Sequence, residues 1–394
     1  MARVCVGAPL LCASFLSLTP AAQAESEQSF TLQGFGTFGA ARTTSNEVEF
    51  VRDLSQPRGA RQRWDGRPDS ILGVQANWRI SPQLETVVQA LSRYRYDQSF
   101  TPELSWAYVK YDPTPQWSFR AGRLGTEFFM MADSRLVGYS FLSVRPPGDF
   151  FLALPFYSIN GADMALTVPV GDNLLRGKLF YGQADSKLPL ADQQWRLAGS
   201  AMAGAYVDYQ AGAWQFRLSY ANIRFKQDLP IDNFMLRNLS QADAATAMAH
   251  LATANTRSDY FSAGAVYDHG PWQIQLMFNH IEQGSQTFES SDAAYILAGY
   301  RISAVTPYLG YSWVSSDPRG NRVNSVVDQI MADAHVEQAT TIVGARWDVL
   351  RNVALKAQWD GVRGAASSIF PYRREQRGWD GKMDVFSVTV DFLY

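Results

Sequence analysis

Cysteine is nearly missing from this chain. Its 394 residues hold two, Cys5 and Cys12. Both fall in residues 1–24, which read as a secretory signal: a positive charge at Arg3, an apolar stretch from Val4 to Leu18, and the small-x-small pattern Ala22-Gln23-Ala24. The mature part, 25–394, then has no cysteine, which excludes disulfides and thiolate-held metals. Pro9-Leu10-Leu11 before Cys12 lacks the small residues of a lipoprotein acceptor site. Long hydrophobic runs are absent too. The chain is 46% hydrophobic, yet no stretch approaches the roughly 20 apolar residues of a membrane helix. Neither charge sign dominates (35 Lys+Arg against 37 Asp+Glu), and no polybasic stripe points to nucleic acid. The four histidines, His250, His269, His280 and His335, show no metal-ligand spacing. No serine elbow or glycine-rich phosphate loop accompanies them. Neither a catalytic activity nor a metal or cofactor is expected.

What is present is glycine, aromatic residues and strict alternation. In the last segment Phe386, Val388, Val390, Phe392 and Tyr394 share one parity, while Ser387, Thr389 and Asp391 take the other. Successive side chains of a strand point to opposite faces, so this strand has an apolar and a polar side. Leu72, Val74, Ala76 and Trp78 oppose Gln75, Asn77 and Arg79 in the same way, and Trp214, Phe216, Leu218 and Tyr220 oppose Gln215, Arg217 and Ser219. About 16 strands are expected, at 29–43, 70–80, 84–95, 103–112, 116–122, 159–168, 174–184, 200–210, 213–225, 258–268, 271–283, 291–302, 304–316, 337–348, 352–361 and 383–394.

Short and long connections alternate without exception along this series, and a soluble sandwich has no reason to sort its loops so. The pattern is that of a transmembrane antiparallel β-barrel with short periplasmic turns, long outer loops and an apolar outer face. Lipid cannot hydrogen-bond a strand edge, so the sheet must close. Aromatics gather at strand ends, where membrane interfaces would lie: Tyr94, Tyr111, Trp117, Tyr209, Trp214, Tyr267, Trp272, Tyr311, Trp313, Trp347 and Trp359. A barrel of this size has room for a water-filled channel, and the inward set is too polar for a dry core.

Three features carry a family resemblance: the opening Phe30-Thr-Leu-Gln-Gly-Phe-Gly-Thr-Phe-Gly39, the strand Phe119-Arg-Ala-Gly-Arg-Leu124 before a long third loop, and the aromatic-ended last strand. In these and in length the chain resembles the Gram-negative general porins, trimeric 16-stranded diffusion channels of the outer membrane. The third loop lacks the acidic-aromatic-Gly-Gly signature of the best-known members. The resemblance implies that this loop, 123–158, folds into the lumen and brings the acids Glu127, Asp133 and Asp149 with it. Its alternatives are a cap on the rim or a subunit contact. It also implies an opposing basic wall. Arg79, Arg93, Arg95 and Arg120 lie on inward parities and Arg123 at the loop's root, so the two sets would place a transverse field across the pore. Further inward bases (Arg176, Lys178, Arg217, Arg301, Arg346, Lys356) outnumber acids at mid-strand, which suggests a weak anion preference.

The expected function is passive diffusion of small hydrophilic solutes, with a substrate-selective channel using an arginine ladder as the alternative. An adhesin or phage-receptor role for the outer loops is compatible with either. The resemblance further implies a homotrimer surrounded by outer-membrane lipid and lipopolysaccharide. It makes Phe386, Val388, Val390, Phe392 and Tyr394 the segment read by the barrel assembly machinery. Gly34, Gly36, Gly39 and Ala40 would suit subunit contact. Phe234 to Thr253, alanine-rich, is compatible with a helix that either lids the pore or stands on the rim.

Overall fold

The computed structural model describes residues 29–152, 154–190, 193–230, 239–318, 324, 327–328, 335–364, 372–376 and 378–394. The expected signal segment, with Cys5 and Cys12, lies outside them. Among the described residues eighteen strands form: β1 (Ser29–Thr43), β2 (Ile71–Arg79), β3 (Leu84–Arg93), β4 (Glu103–Tyr111), β5 (Trp117–Gly125), β6 (Ser158–Val170), β7 (Asn173–Ala184), β8 (Lys187–Leu190), β9 (Gln193–Arg196), β10 (Ala201–Ala211), β11 (Trp214–Arg224), β12 (Arg257–His269), β13 (Trp272–Gln283), β14 (Ser291–Tyr300), β15 (Val305–Ser316), β16 (Glu337–Leu350), β17 (Val353–Gly364) and β18 (Lys382–Leu393). Sixteen close into one antiparallel barrel, each paired with its sequence neighbour around the ring. The other two, β8 and β9, make a separate hairpin in the connection between β7 and β10. That hairpin is an addition to the sequence reading. Its strands are four residues each, too short to show a period.

The ring closes where the first strand meets the last. Phe35 pairs with Leu393 and Thr43 with Val385. Beyond them Gly34 and Tyr394 exchange both backbone hydrogen bonds, at 2.8 and 2.9 Å. The parity of β18 then assigns its faces. Thr389 and Asp391 are buried inside, whereas Phe386, Val388 and Val390 are exposed outside. The same division recurs around the ring, with Leu218 68% and Leu309 61% exposed. An apolar surface this continuous and unpartnered belongs against hydrocarbon.

Two expectations about the closing strands change. Gly34 and Gly36 are not open faces for a second subunit, because the rings of Tyr394 and Phe392 lie over them. Gly39 faces inward against Asp69 and Thr389. The aromatic band also differs at one place. Tyr94 follows the end of β3 and is buried, packed on Phe100 with the Arg67 guanidinium 5.2 Å from its ring. A folded-over loop covers it there, so it marks no interface.

The alanine-rich segment forms a helix at Gln241–His250, capped by Ser240, whose Oγ accepts from the Asp243 amide at 3.1 Å. It buries Ala247 and exposes most of its surface, which makes it a rim helix. Phe234 and Leu236 of that segment lie outside the described residues.

Gly36→Ala tests the closure. The added methyl would sit 2.3 Å from the nearest Phe392 ring atom, and such overpacking costs about 1–3 kcal/mol. The urea midpoint of detergent-folded protein should fall accordingly. Gly177→Ala, whose methyl meets nothing within 4 Å, should leave it in place.

Candidate functional site in the lumen

The connection between β5 and β6 decides what the interior is. It runs through the lumen and meets inward side chains on nearly every strand. Its apolar half packs as a core. Phe128, Phe129, Phe141 and Phe150 are fully buried. Phe128 meets the Tyr260 ring edge-on at 5.4 Å, and Phe150 meets Tyr295 at 5.3 Å. Met277, Leu297, Tyr308 and Ile342 join the same cluster from β13 to β16. Each such ring, withdrawn from water, contributes about 1.5–3 kcal/mol. A segment anchored by four of them is a wall and does not swing as a lid. The expectation of a wet interior therefore fails over β12–β16. There the inward residues are apolar because the loop, not water, covers them.

Charges pin the remainder. Arg145 on the loop gives a two-pronged contact to Asp69, Nε to Oδ1 at 2.9 Å and Nη2 to Oδ2 at 2.7 Å. It also donates to Asp360 at 2.8 Å and to Ser387. Asp69 belongs to the connection between β1 and β2, which also folds inward, where Arg52 donates to the Arg135 carbonyl at 2.9 Å. Lys356 donates to the carbonyls of Gly138 and Ser143, and Arg346 to those of Tyr139 and Phe141. At Gly138 a methyl would strike both Thr37 and Asp391, so glycine alone allows this approach. The Tyr139 hydroxyl reaches the Arg351 carbonyl at the short-turn end, 2.7 Å away. The loop thus descends the whole depth of the barrel on this side.

The expected charge set is only partly brought together. Glu127 and Arg120 do meet. Arg120 donates to Glu127 and to Asp163, with its Nη2 2.5 Å from Asp163 Oδ2. Lys178 reaches Glu127 at 2.5 Å, and the Tyr206 hydroxyl donates to it at 3.0 Å. Burial raises the Glu127 carboxyl, but Arg120 and Lys178 outweigh it and hold the group well below the usual carboxylate range. Asp133 is raised, first by burial and then by Glu127 beside it. Asp149 sits across the lumen, accepting from Ser312 at 2.5 Å and from Gln338, with no cation as partner among the described residues. It faces no basic wall.

The other arginines scatter. Arg93 is buried against Glu103, Asp53 and Ser55 and stacks on Tyr157. Arg95 pairs with Asp97 and Glu103 at the long-loop rim. Arg79 is exposed at the short-turn end of β2. Arg123, three residues after Arg120 on the same strand, falls on the opposite face and donates to Asn160 at 3.4 Å. Alternation correctly assigned faces but gave neither height nor pairing.

Pairing also removes most of the inward basic excess. Arg217 binds Asp208, Arg301 binds Asp268, Arg346 binds Asp348 and Lys356 binds Asp391. Arg176 is the exception. It is partly exposed on the inward face of β7 and has no hydrogen-bond or ion-pair partner among the described residues. Other inward residues also keep contact with solvent. Gln75, Asn77, Lys110, Ser118 and Gly122 keep accessible surface on β2, β4 and β5.

No protein-family profile matches the sequence, and no curated protein matches it. Solved structures match the fold. OmpT of Vibrio cholerae in a trimer form is 12% identical, with a TM-score of 0.57 over 93% of this chain and 100% of that one. The anion-selective porin from Comamonas acidovorans is 12% identical, with a TM-score of 0.56 over 93% and 100%. The outer membrane channel DcaP of Acinetobacter baumannii is 11% identical, with a TM-score of 0.54 over 93% and 97%. At such identities the likeness establishes a shared 16-stranded barrel.

Glu127→Gln should loosen the loop. Removing the anion strands Arg120 and Lys178, at about 3 kcal/mol, the low end for a broken buried pair because Asp163 remains beside both. Because the folded-state carboxyl is depressed, its stabilisation is present above the unfolded value near ~4.3 and fades as pH falls through the lower folded value. Amide protection factors in residues 126–131, which correct for the pH dependence of intrinsic exchange, should therefore hold from neutral pH down to about 4 and fall below. In the Gln variant they should be low throughout.

Proposed function

We propose that this protein is a diffusion channel of a Gram-negative outer membrane, passing ions and small hydrophilic solutes with a weak preference for anions. The observation that carries the reading is the unequal filling of the lumen. A bonded, aromatic-rich loop occupies the side facing β12–β16. Elsewhere polar and charged side chains keep accessible surface on β2, β4, β5 and β7. A lining of this kind suits hydrated solutes moving past fixed charges, which is how a channel sorts by sign without a binding pocket. Arg79 and Arg176 supply cations that have no ion-pair partner among the described residues, whereas Glu127 is already satisfied by Arg120 and Lys178. That imbalance favours anions.

The substrate-selective alternative needs a ladder of free arginines at Arg79, Arg93 and Arg120. Arg93 is locked between Asp53 and Glu103, which breaks the ladder at its middle rung. An enzymatic reading finds one Ser–His–acid grouping at the rim, Ser316, His335 and Glu289. Serine and glutamate both contact His335 Nδ1, at 3.1 and 2.7 Å. A proton relay needs them on opposite ring nitrogens.

The proposal extends to export by the 1–24 signal, delivery to the outer membrane through the assembly machinery by way of Phe386, Val388, Val390, Phe392 and Tyr394, a surround of lipid and lipopolysaccharide, and a homotrimer. The trimer is supported only by the shared fold with OmpT in its trimer form.

Planar-bilayer recording tests the channel. Conductance should rise linearly with salt and show no saturating block by sugars or amino acids. Arg176→Glu should shift the zero-current potential toward cation selectivity in a salt gradient. Absence of conductance from folded protein would overturn the reading, and an unchanged potential would overturn the anion preference.

A further inference from the structure

β1 and β18 are the two neighbouring barrel strands that no connection ties together. Every other pair around the ring is consecutive among the barrel strands, so a turn or loop tethers its edges. At the seam the partners are as distant in sequence as Thr37 and Asp391, 354 positions apart. Only noncovalent contacts oppose parting there, and parted strands would present bare edges to hydrocarbon. β1 is also weak on its own account. It carries Gly34, Gly36 and Gly39, and glycine costs a strand both entropy and cross-strand packing.

The inward side of this seam lies under the connection between β5 and β6. From the short-turn end its inward register pairs run Phe35 with Leu393, Thr37 with Asp391, Gly39 with Thr389 and Ala41 with Ser387. Leu136 and Val137 of the loop join Phe35 and Leu393 in one apolar cluster. Gly138 sits on the second pair, so close that a Cβ there would strike both Thr37 and Asp391. Arg145 holds Asp69, which lies against Gly39, and donates to Ser387.

Lys356 carries the link across. An ammonium has three protons to donate, and this one faces three acceptors: the Gly138 carbonyl at 2.7 Å, the Ser143 carbonyl at 2.9 Å and Asp391 Oδ2 at 3.1 Å. Asp391 Oδ1 in turn accepts from Thr37 at 2.5 Å. Loop, β17, β18 and β1 are thereby joined in one buried chain of hydrogen bonds. Arg145 spans the seam in parallel, from Asp69 beside β1 to Ser387 on β18 and Asp360 on β17. Charge-assisted bonds of this kind strengthen out of water. Glu127 also ties the loop to the wall, at β5, β7 and β10, but those strands are already held in order by their own connections.

We propose that the loop is the clasp of the barrel: its 136–145 segment holds β1 to β18 from inside and sets how readily the ring opens at its one untethered joint. Partitioning the lumen would not require contacts on both sides of that joint. The clasp does not rest on conductance, so it stands or falls separately from the channel reading.

Amide exchange of the detergent-folded full chain tests it. Cys5→Ser and Cys12→Ser remove the native thiols. Gly138→Ala pushes the turn off Thr37 and Asp391. Protection of β1 and β18 amides should then drop about tenfold, while β12 and β13 keep theirs. A disulfide from Ala40→Cys and Val388→Cys, an outward register pair across the seam, should restore protection once oxidised, since facing residues lie within disulfide reach. One from Ala263→Cys and Phe278→Cys, a register pair of β12 and β13, should not. Leu136→Ala trims the loop without placing an atom on the seam. It should give the same pattern, and it carries the comparison by itself if Gly138→Ala does not fold. Protection lost evenly around the barrel, lost only within the loop, or restored equally by both disulfides overturns the clasp.

Discussion

The structure depends on one requirement: no backbone donor or acceptor of the sheet can be left facing hydrocarbon. Sixteen strands paired only with their sequence neighbours satisfy it once the two ends join, and they join through β1 and β18 with Gly34 and Tyr394 as the last bonded pair. The apolar outer face follows, because a closed sheet in a membrane can dispose of its side chains in only two directions. The glycines near the seam follow too. Rings from β18 fold across the neighbouring strand, and only a residue without Cβ leaves them room.

Closure creates a second problem, an interior too wide for wall side chains to fill. This chain fills much of it with its own loop. Aromatic rings supply the bulk, while Arg145, Lys356 and Arg346 tie the loop's ends and carbonyls to the wall. Buried charges are tolerated there because nearly every one meets its opposite. Arg120, Lys178, Glu127 and Asp163 form one such group, and Arg145, Asp69 and Asp360 form another. Hydrophobic and ionic anchoring together make the loop a fixed partition, with a strip of partly accessible polar side chains left beside it.

The strands were legible because a two-residue period leaves a direct trace. All sixteen barrel strands fall where alternation places them, within a few residues at their ends. β14 shows the limit of that signal. Ala293, Tyr295 and Leu297 face inward and are buried under the loop, so both of its faces are apolar and its alternation is weak. The charges were harder. Parity distinguishes Arg120 from Phe119, yet it says nothing of whether an inward arginine stays partly exposed, as Arg176 does, or sits in a closed ion pair, as Arg93 does. Arg145, Asp69 and Asp360 left no local signal, since their contacts span 76 and 215 positions in sequence.

What the sequence by itself determined is therefore the barrel: its strand number, its inside and outside, and the end that carries long loops. These follow from local periodicity and turn spacing, which each strand expresses without knowledge of the others. What only the tertiary structure decided is the lumen, namely which charges cancel, which side is packed, and that Asp149 and Glu127 serve opposite walls. Those outcomes depend on distances between residues far apart in the chain, and a distance across a closed ring is a property of the fold that no single segment encodes.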